Sequence, residues 1–168
     1  MKNIFLIGMM GSGKSTIGNL LSKKLSMPII DMDDEIEQLM DMSINKIFKE
    51  YGEKRFRLIE TAYFRECSKN DNFIYSTGGG IILDSNNQNI MQKRGMCFFL
   101  DCNTNTLISR LNSQNKKRPL YKNNDDFITL YNKRINLYKK CAHHTIDTND
   151  LTKEQVAKKI KNLYNEND

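Results

Sequence analysis

Eight residues near the start of the chain constrain it more than any others: Gly8-Met9-Met10-Gly11-Ser12-Gly13-Lys14-Ser15. They fit the pattern G-x-x-x-x-G-K-[ST], which carries a mechanism only when it joins a strand to a helix. Both neighbours are present. Residues 3–7 read as a short buried strand, apolar from Ile4 to Ile7, and from Lys14 onward Ile17, Leu20, Leu21 and Leu25 keep helical spacing. In that setting loop amides and the positive end of the helix point at the β- and γ-phosphates of a nucleotide, Lys14 adds a point charge, and the Ser15 hydroxyl ligates Mg²⁺. A side chain at the glycine positions would block the cradle.

The rest of the chain repeats the alternation. Pro28 closes the first connection, Ile29 and Ile30 make a second strand, and a helix begins at Asp33. Ser43 caps a further helix that stops at Gly52, followed by another over 53–68. Later strands are predicted over 73–76, 96–100 and 144–147, with helices over 85–95, 104–112, 125–142 and 152–165. Five strands alternating with helices predict an α/β fold: a three-layer sandwich around a five-stranded, mainly parallel sheet. Residues 113–124 are polar, lysine-rich and without periodicity, which suits a mobile lid. With 168 residues and no repeat or linker, a single domain over 1–168 is expected.

Composition removes several function classes. The apolar runs fall far short of the roughly 20 residues a bilayer requires, and the N-terminal residues run into a strand without a cleavage site, so no membrane span or export signal is expected. Cys67, Cys97, Cys102 and Cys141 lack the spacing of a zinc or redox motif and read as reduced thiols. Adjacent His143 and His144 would face opposite sides of a strand and cannot jointly grip a metal. The net charge of +6 permits nucleic acid, but the lysines are scattered on solvated helix faces, and anionic small substrates explain the balance as well as RNA does; an RNA-binding protein would also be expected to show a module signature or aromatic interleaving, and neither occurs.

Acceptor chemistry is suggested by three groups near the carboxyl edge of the sheet, where open α/β sheets bind ligands. Asp31 and Asp33, two apart at the end of the second strand, project to one side if extended; one carboxylate can face the metal and the other the acceptor. Acidic residues also favour the first turn of a helix for its dipole alone. Gly78, Gly79 and Gly80 follow the third strand and let backbone approach a ligand, although glycines also serve tight turns.

Taken together, the phosphate loop with Thr16, Asp31-Met32-Asp33, Gly52-Glu53 with Phe56-Arg57 and Glu60, Ser76-Thr77-Gly78-Gly79-Gly80, and Lys117-Arg118-Pro119-Leu120 resemble shikimate kinase over nearly the whole chain. The resemblance implies a P-loop kinase fold and transfer of the γ-phosphoryl group of ATP to the 3-hydroxyl of shikimate, with Mg²⁺, in the cytoplasm. It implies that Gly11, Ser12, Gly13, Lys14, Ser15 and Thr16 cradle the phosphates, that Ser15 binds Mg²⁺ directly and Asp31 through water, and that Asp33 orients or deprotonates the attacking hydroxyl. Arg57, Arg134 and Gly79, with the flanking Gly78 and Gly80, would grip shikimate; Arg118 would close over the phosphates with the lid, and Arg110 would lie on the adenine side. No nucleic-acid or membrane partner is implied, and a monomer is expected. One departure bears on the site: where the family usually has Arg-x-Pro-Leu-Tyr, this chain has Arg134-Ile135-Asn136-Leu137-Tyr138, and losing that proline removes a helix kink or stop, with a small displacement of Arg134 expected. A kinase for gluconate or a nucleoside monophosphate is the nearest rival, disfavoured by Arg57 and Gly78 to Gly80; a nucleotide switch is disfavoured by the lack of Asn-Lys-x-Asp and Asp-x-x-Gly motifs.

Overall fold

The computed structural model describes residues 2–113, 119–121 and 123–167; Arg118 and Lys117 lie outside the described residues. In chain order the elements are β1 (Asn3–Ile7), α1 (Lys14–Leu25), β2 (Ile29–Asp31), α2 (Met32–Met40), α3 (Ile44–Cys67), β3 (Ile74–Ser76), a 3₁₀ turn (Ile81–Leu83), α4 (Ser85–Arg94), β4 (Gly95–Asp101), α5 (Thr104–Ser113), α6 (Asn124–Cys141), β5 (His144–Asp147) and α7 (Lys153–Asn167).

All strand pairings are parallel, in the order β2-β3-β1-β4-β5. β1 lies in the middle and is buried along its whole length, which is why Ile4 to Ile7 read as an unbroken apolar run rather than an alternating one. Its side chains nonetheless divide by parity. Ile4 and Leu6 join Ile17 and Leu21 of α1 and Val156, Ile160 and Tyr164 of α7 on one face. Phe5 and Ile7 join Phe64 of α3, Met91 of α4, Leu107 of α5 and Tyr138 of α6 on the other. Helices therefore cover both faces, the three-layer arrangement expected of the sequence. A small satellite core of Ile36, Ile47 and Phe56 holds α2 against α3.

The chain leaves β1 toward β2 on one side and leaves β3 toward β4 on the other, so the direction of winding switches at the carboxyl ends of β1 and β3. A crevice opens at such a switch point. Thr77 closes the stitch between the two strands there, donating from its N–H (3.2 Å) and Oγ1 (2.8 Å) to the Leu6 carbonyl.

Some local expectations need correction. Asp31 and Asp33 do not share an extended segment: Asp31 ends β2 and caps α2, accepting from the Asp33 N–H at 3.2 Å, while Asp33 is in the helix's first turn. The two predicted helices around Gly52 form one stretch, α3, broken at Gly52, whose φ of 76° and ψ of 168° lie in a region open only to glycine. Residues 113 and 124, expected in the lid, belong to α5 and α6.

Candidate active site

The phosphate loop is strung between a fully buried strand and the first turn of α1. Gly13 caps that helix at φ 92° and ψ 17°, a left-handed conformation, and among the described residues no side-chain cap bonds the helix's first amides. Those N–H groups are left for a ligand of negative charge. Lys14 Nζ donates to the loop carbonyls of Gly8 (2.8 Å) and Met9 (3.0 Å), so the ammonium is fixed inside the curl of the loop. Ser12 is buried and its Oγ has no hydrogen-bond partner among the described residues. A buried hydroxyl left unsatisfied costs stability unless something bonds to it, which fits a phosphate oxygen in the cradle.

A cavity of about 640 Å³ runs from this loop past Ser15, Thr16, Asp31, Asp33 and Gly79 to Arg110. Arg110 Nη1 donates to the Gly11 carbonyl at 3.3 Å, so this arginine reaches the loop from α5. Thr148, Leu151 and Lys153 complete that end of the cavity. Sequence reasoning passed over these residues, although their position after the last strand, at the same sheet edge as the other ligand groups, is a usable signal.

Ser15 Oγ lies 3.3 Å from Ser76 Oγ and shares the cavity with the Asp31 side chain. Among the described residues no group of three or more His, Cys, Asp or Glu side chains could hold a metal ion. One hydroxyl and one carboxylate suit Mg²⁺, which keeps several waters and takes its remaining oxygens from phosphate.

Beside the nucleotide cavity, the side chains of Asp33, Phe48, Phe56, Arg57, Glu60 and Arg134 converge on the Gly78 to Gly80 turn, and Pro119 and Leu120 face the same space. Arg57 Nη1 donates to Glu60 Oε2 at 2.6 Å, Nη2 and Nε reach Glu53 Oε1 at 3.2 and 3.3 Å, and the guanidinium carbon lies 5.0 Å over the Phe56 ring. Burial pulls the Arg57 pKa down, but the Glu60 and Glu53 carboxylates outweigh it and leave it above its ordinary value. A Cβ at Gly80 would collide with that guanidinium, so the glycine is there for close approach rather than for a turn.

Arg134 is 3% exposed and donates from Nη1 to the Gly79 carbonyl at 3.2 Å, while its Nε is buried without a partner among the described residues. Burial and the neighbouring Arg57 charge both lower its pKa. Glu60, also buried, bonds Arg57 with one oxygen, and the other has no partner among the described residues; burial raises its pKa against the pull of Arg57. Two guanidinium groups around one glycine turn thus share the space with partly unsatisfied polar atoms, an arrangement suited to a planar anion with hydroxyls. Glu60 was visible only as a motif letter in the sequence; its service to Arg57 comes from the fold.

Asp33 lines both cavities, with the phosphate loop on one side and Arg57 and Arg134 on the other. The structure therefore brings together every site residue expected of the sequence except Arg118, which lies outside the described residues.

The sequence pattern of shikimate kinases matches residues 10–165. The chain belongs to the shikimate kinase family. It is 41% identical to the shikimate kinase of Caldicellulosiruptor bescii, over 98% of this chain and 96% of that one. It is 37% identical to that of Enterococcus faecalis, over 95% and 96%. Among solved structures, shikimate kinase from Acinetobacter baumannii in complex with shikimate superposes with a TM-score of 0.94 at 33% identity, covering 99% of this chain and 94% of the other. A deoxyadenosine kinase from M. mycoides, at 20% identity and a TM-score of 0.68, shares the fold alone. As a shikimate kinase family member the chain is an enzyme, a phosphotransferase that uses ATP. The family's usual proline is absent, yet α6 runs through Asn136 from Asn124 to Cys141, and Arg134 still reaches Gly79.

Proposed function

We propose that this chain transfers the γ-phosphoryl group of ATP to the 3-hydroxyl of shikimate, and that Asp33 is where the two substrates meet. The observation that carries the reading is that one carboxylate borders both the phosphate-loop cavity and a pocket holding two guanidinium groups. Shikimate is a carboxylated polyol, and arginine's planar fork bonds a carboxylate in two places where lysine offers a point charge. Arg57 and Arg134 take the carboxylate, with backbone of Gly79 beside them. Asp33 accepts a hydrogen bond from the attacking hydroxyl and receives its proton as the new oxygen–phosphorus bond forms and the bond to the ADP oxygen breaks.

The amides of Gly11 to Thr16 and the Lys14 ammonium hold the phosphates, and Arg110 takes the adenine side. Ser15 and Asp31 would hold Mg²⁺, which when bound would offset charge on the transferring group. Arg118, which lies outside the described residues, would add a cation there. By the same reading the enzyme is a cytoplasmic monomer. No helix among the described residues is long and apolar enough to cross a membrane.

A coupled assay of ADP release with shikimate, gluconate and nucleoside monophosphates side by side tests the reading. ADP release with shikimate alone is expected. Equal or faster release with either rival acceptor would replace it.

A further inference from the structure

Tyr138 takes no part in the roles above, yet it touches both halves of the site. It is fully buried on α6, with its ring stacked on Phe99 of β4 at 5.0 Å between centroids and 12° between planes. The phenol hydroxyl donates to the Gly79 carbonyl and lies 3.5 Å from Met9 Sδ in the phosphate loop. That same carbonyl accepts from Arg134 Nη1 at 3.2 Å, so both of its lone pairs are engaged from one helix. Arg134 and Tyr138 are four residues apart on α6 and therefore neighbours on one helix face.

Phenylalanine would pack on Phe99 equally well, so packing does not account for the hydroxyl. A hydroxyl taken out of water is tolerated where it is bonded, and here its bond is to the backbone that meets the acceptor. Burial pushes the phenol well above its ordinary pKa, with the Arg134 charge pulling the other way, so the group remains a proton donor at any working pH. Gly79 has no side chain to lock its turn, and among the described residues Arg134 has no partner for its Nε, while its ion pair with Glu53 Oε1 is long, at 3.9 Å. Both are held through a shared carbonyl, and Tyr138 is the third member of that junction.

We propose that Tyr138 is a positioning residue for the acceptor: by fixing the Gly79 carbonyl it sets the glycine turn and the Arg134 guanidinium in register with each other and with the phosphate loop. The inference rests on the acceptor reading given under Proposed function. It assigns Tyr138 no contact with the reacting atoms.

Tyr138→Phe deletes the hydroxyl and keeps the ring, its stacking and its volume. The expected result is a KM for shikimate raised about tenfold, the size of one buried hydrogen bond lost, with the KM for ATP within about twofold of wild type. Circular dichroism and melting of the same sample report any loss of packing. In a cycle with Arg134→Lys, the double variant is expected to bind shikimate little worse than Arg134→Lys alone, because both changes break one junction. A wild-type shikimate KM in Tyr138→Phe, equal weakening of both substrates, strictly additive effects in the cycle, or a variant that does not fold would each overturn the proposal and leave a packing role. If wild-type enzyme itself releases no ADP with shikimate, the functional reading fails first and takes this proposal with it.

Discussion

Asp33 and Arg57 have different jobs, and substitutions that keep their shapes separate them. Asp33→Asn retains a hydrogen-bond acceptor but cannot take a proton. Turnover is expected to fall by about 10²–10⁴, the range for losing a positioned base, with ATP affinity unchanged because Lys14 and the loop amides remain. Steady-state kinetics beside an ATP titration decide it, and a wild-type kcat would remove Asp33 from the proton path. Arg57→Lys keeps the charge and loses the fork. Since Arg57 spends Nη1 on Glu60 and reaches Glu53 with Nη2 and Nε, a lysine can reproduce neither the pairing nor the planar face. Its KM for shikimate should rise severalfold while the ATP KM stays put; shikimate affinity equal to wild type would exclude the carboxylate role.

Between elements, much of the site was legible because glycine and periodicity report local needs. The strand-loop-helix setting of Lys14 and the sheet-edge position of Gly78 to Gly80 follow from short-range pattern. What was not legible depends on long-range pairing: Tyr138 meets Gly79 across 59 residues, and no local signal marks a buried tyrosine as a bonded one. The 3₁₀ turn Ile81–Leu83 is too short to show a period, and the strand order depends on partners far apart in sequence. His143 is another such case. Read from sequence as an inert half of a histidine pair, it ties the last strand to β4, its N–H donating to the Cys97 carbonyl at 2.8 Å and its Nδ1 accepting from the Cys97 N–H at 3.0 Å. Only neutral imidazole can accept there, and burial, with His144 and Lys2 nearby, lowers its pKa below 6.5. A base whose folded pKa is depressed gives stability that is complete above its unfolded value and is lost as pH falls from there through the folded value. Melting temperature should therefore drop on acidification below about pH 6.5, and His143→Asn, which keeps an acceptor that does not titrate, should flatten that part of the curve. Parallel curves for the two proteins would show that His143 contributes nothing to it.

At the scale of the whole molecule, β1 is the common wall of two cores, and the two substrate cavities are attached to different elements around it. The nucleotide cavity is bounded by α1 and the start of α7, whose apolar faces share one core. The acceptor pocket draws on α2, α3, α6 and the glycine turn, anchored mainly in the other. Each ligand should thus stabilise the fold by itself, since anything that binds only the folded chain raises its stability by mass action. Magnesium ADP at about 100 times its Kd contributes about 2.7 kcal/mol, which for a domain of this size is roughly 5–11 °C of melting temperature. Lys14→Met lowers the starting value, because Nζ also ties down the Gly8 and Met9 carbonyls. In that variant the ADP shift should vanish while the shift produced by shikimate persists. Loss of both shifts together would mean that the acceptor pocket exists only when the phosphate loop is in place, and that the two cavities are one cooperative unit rather than two sites meeting at Asp33.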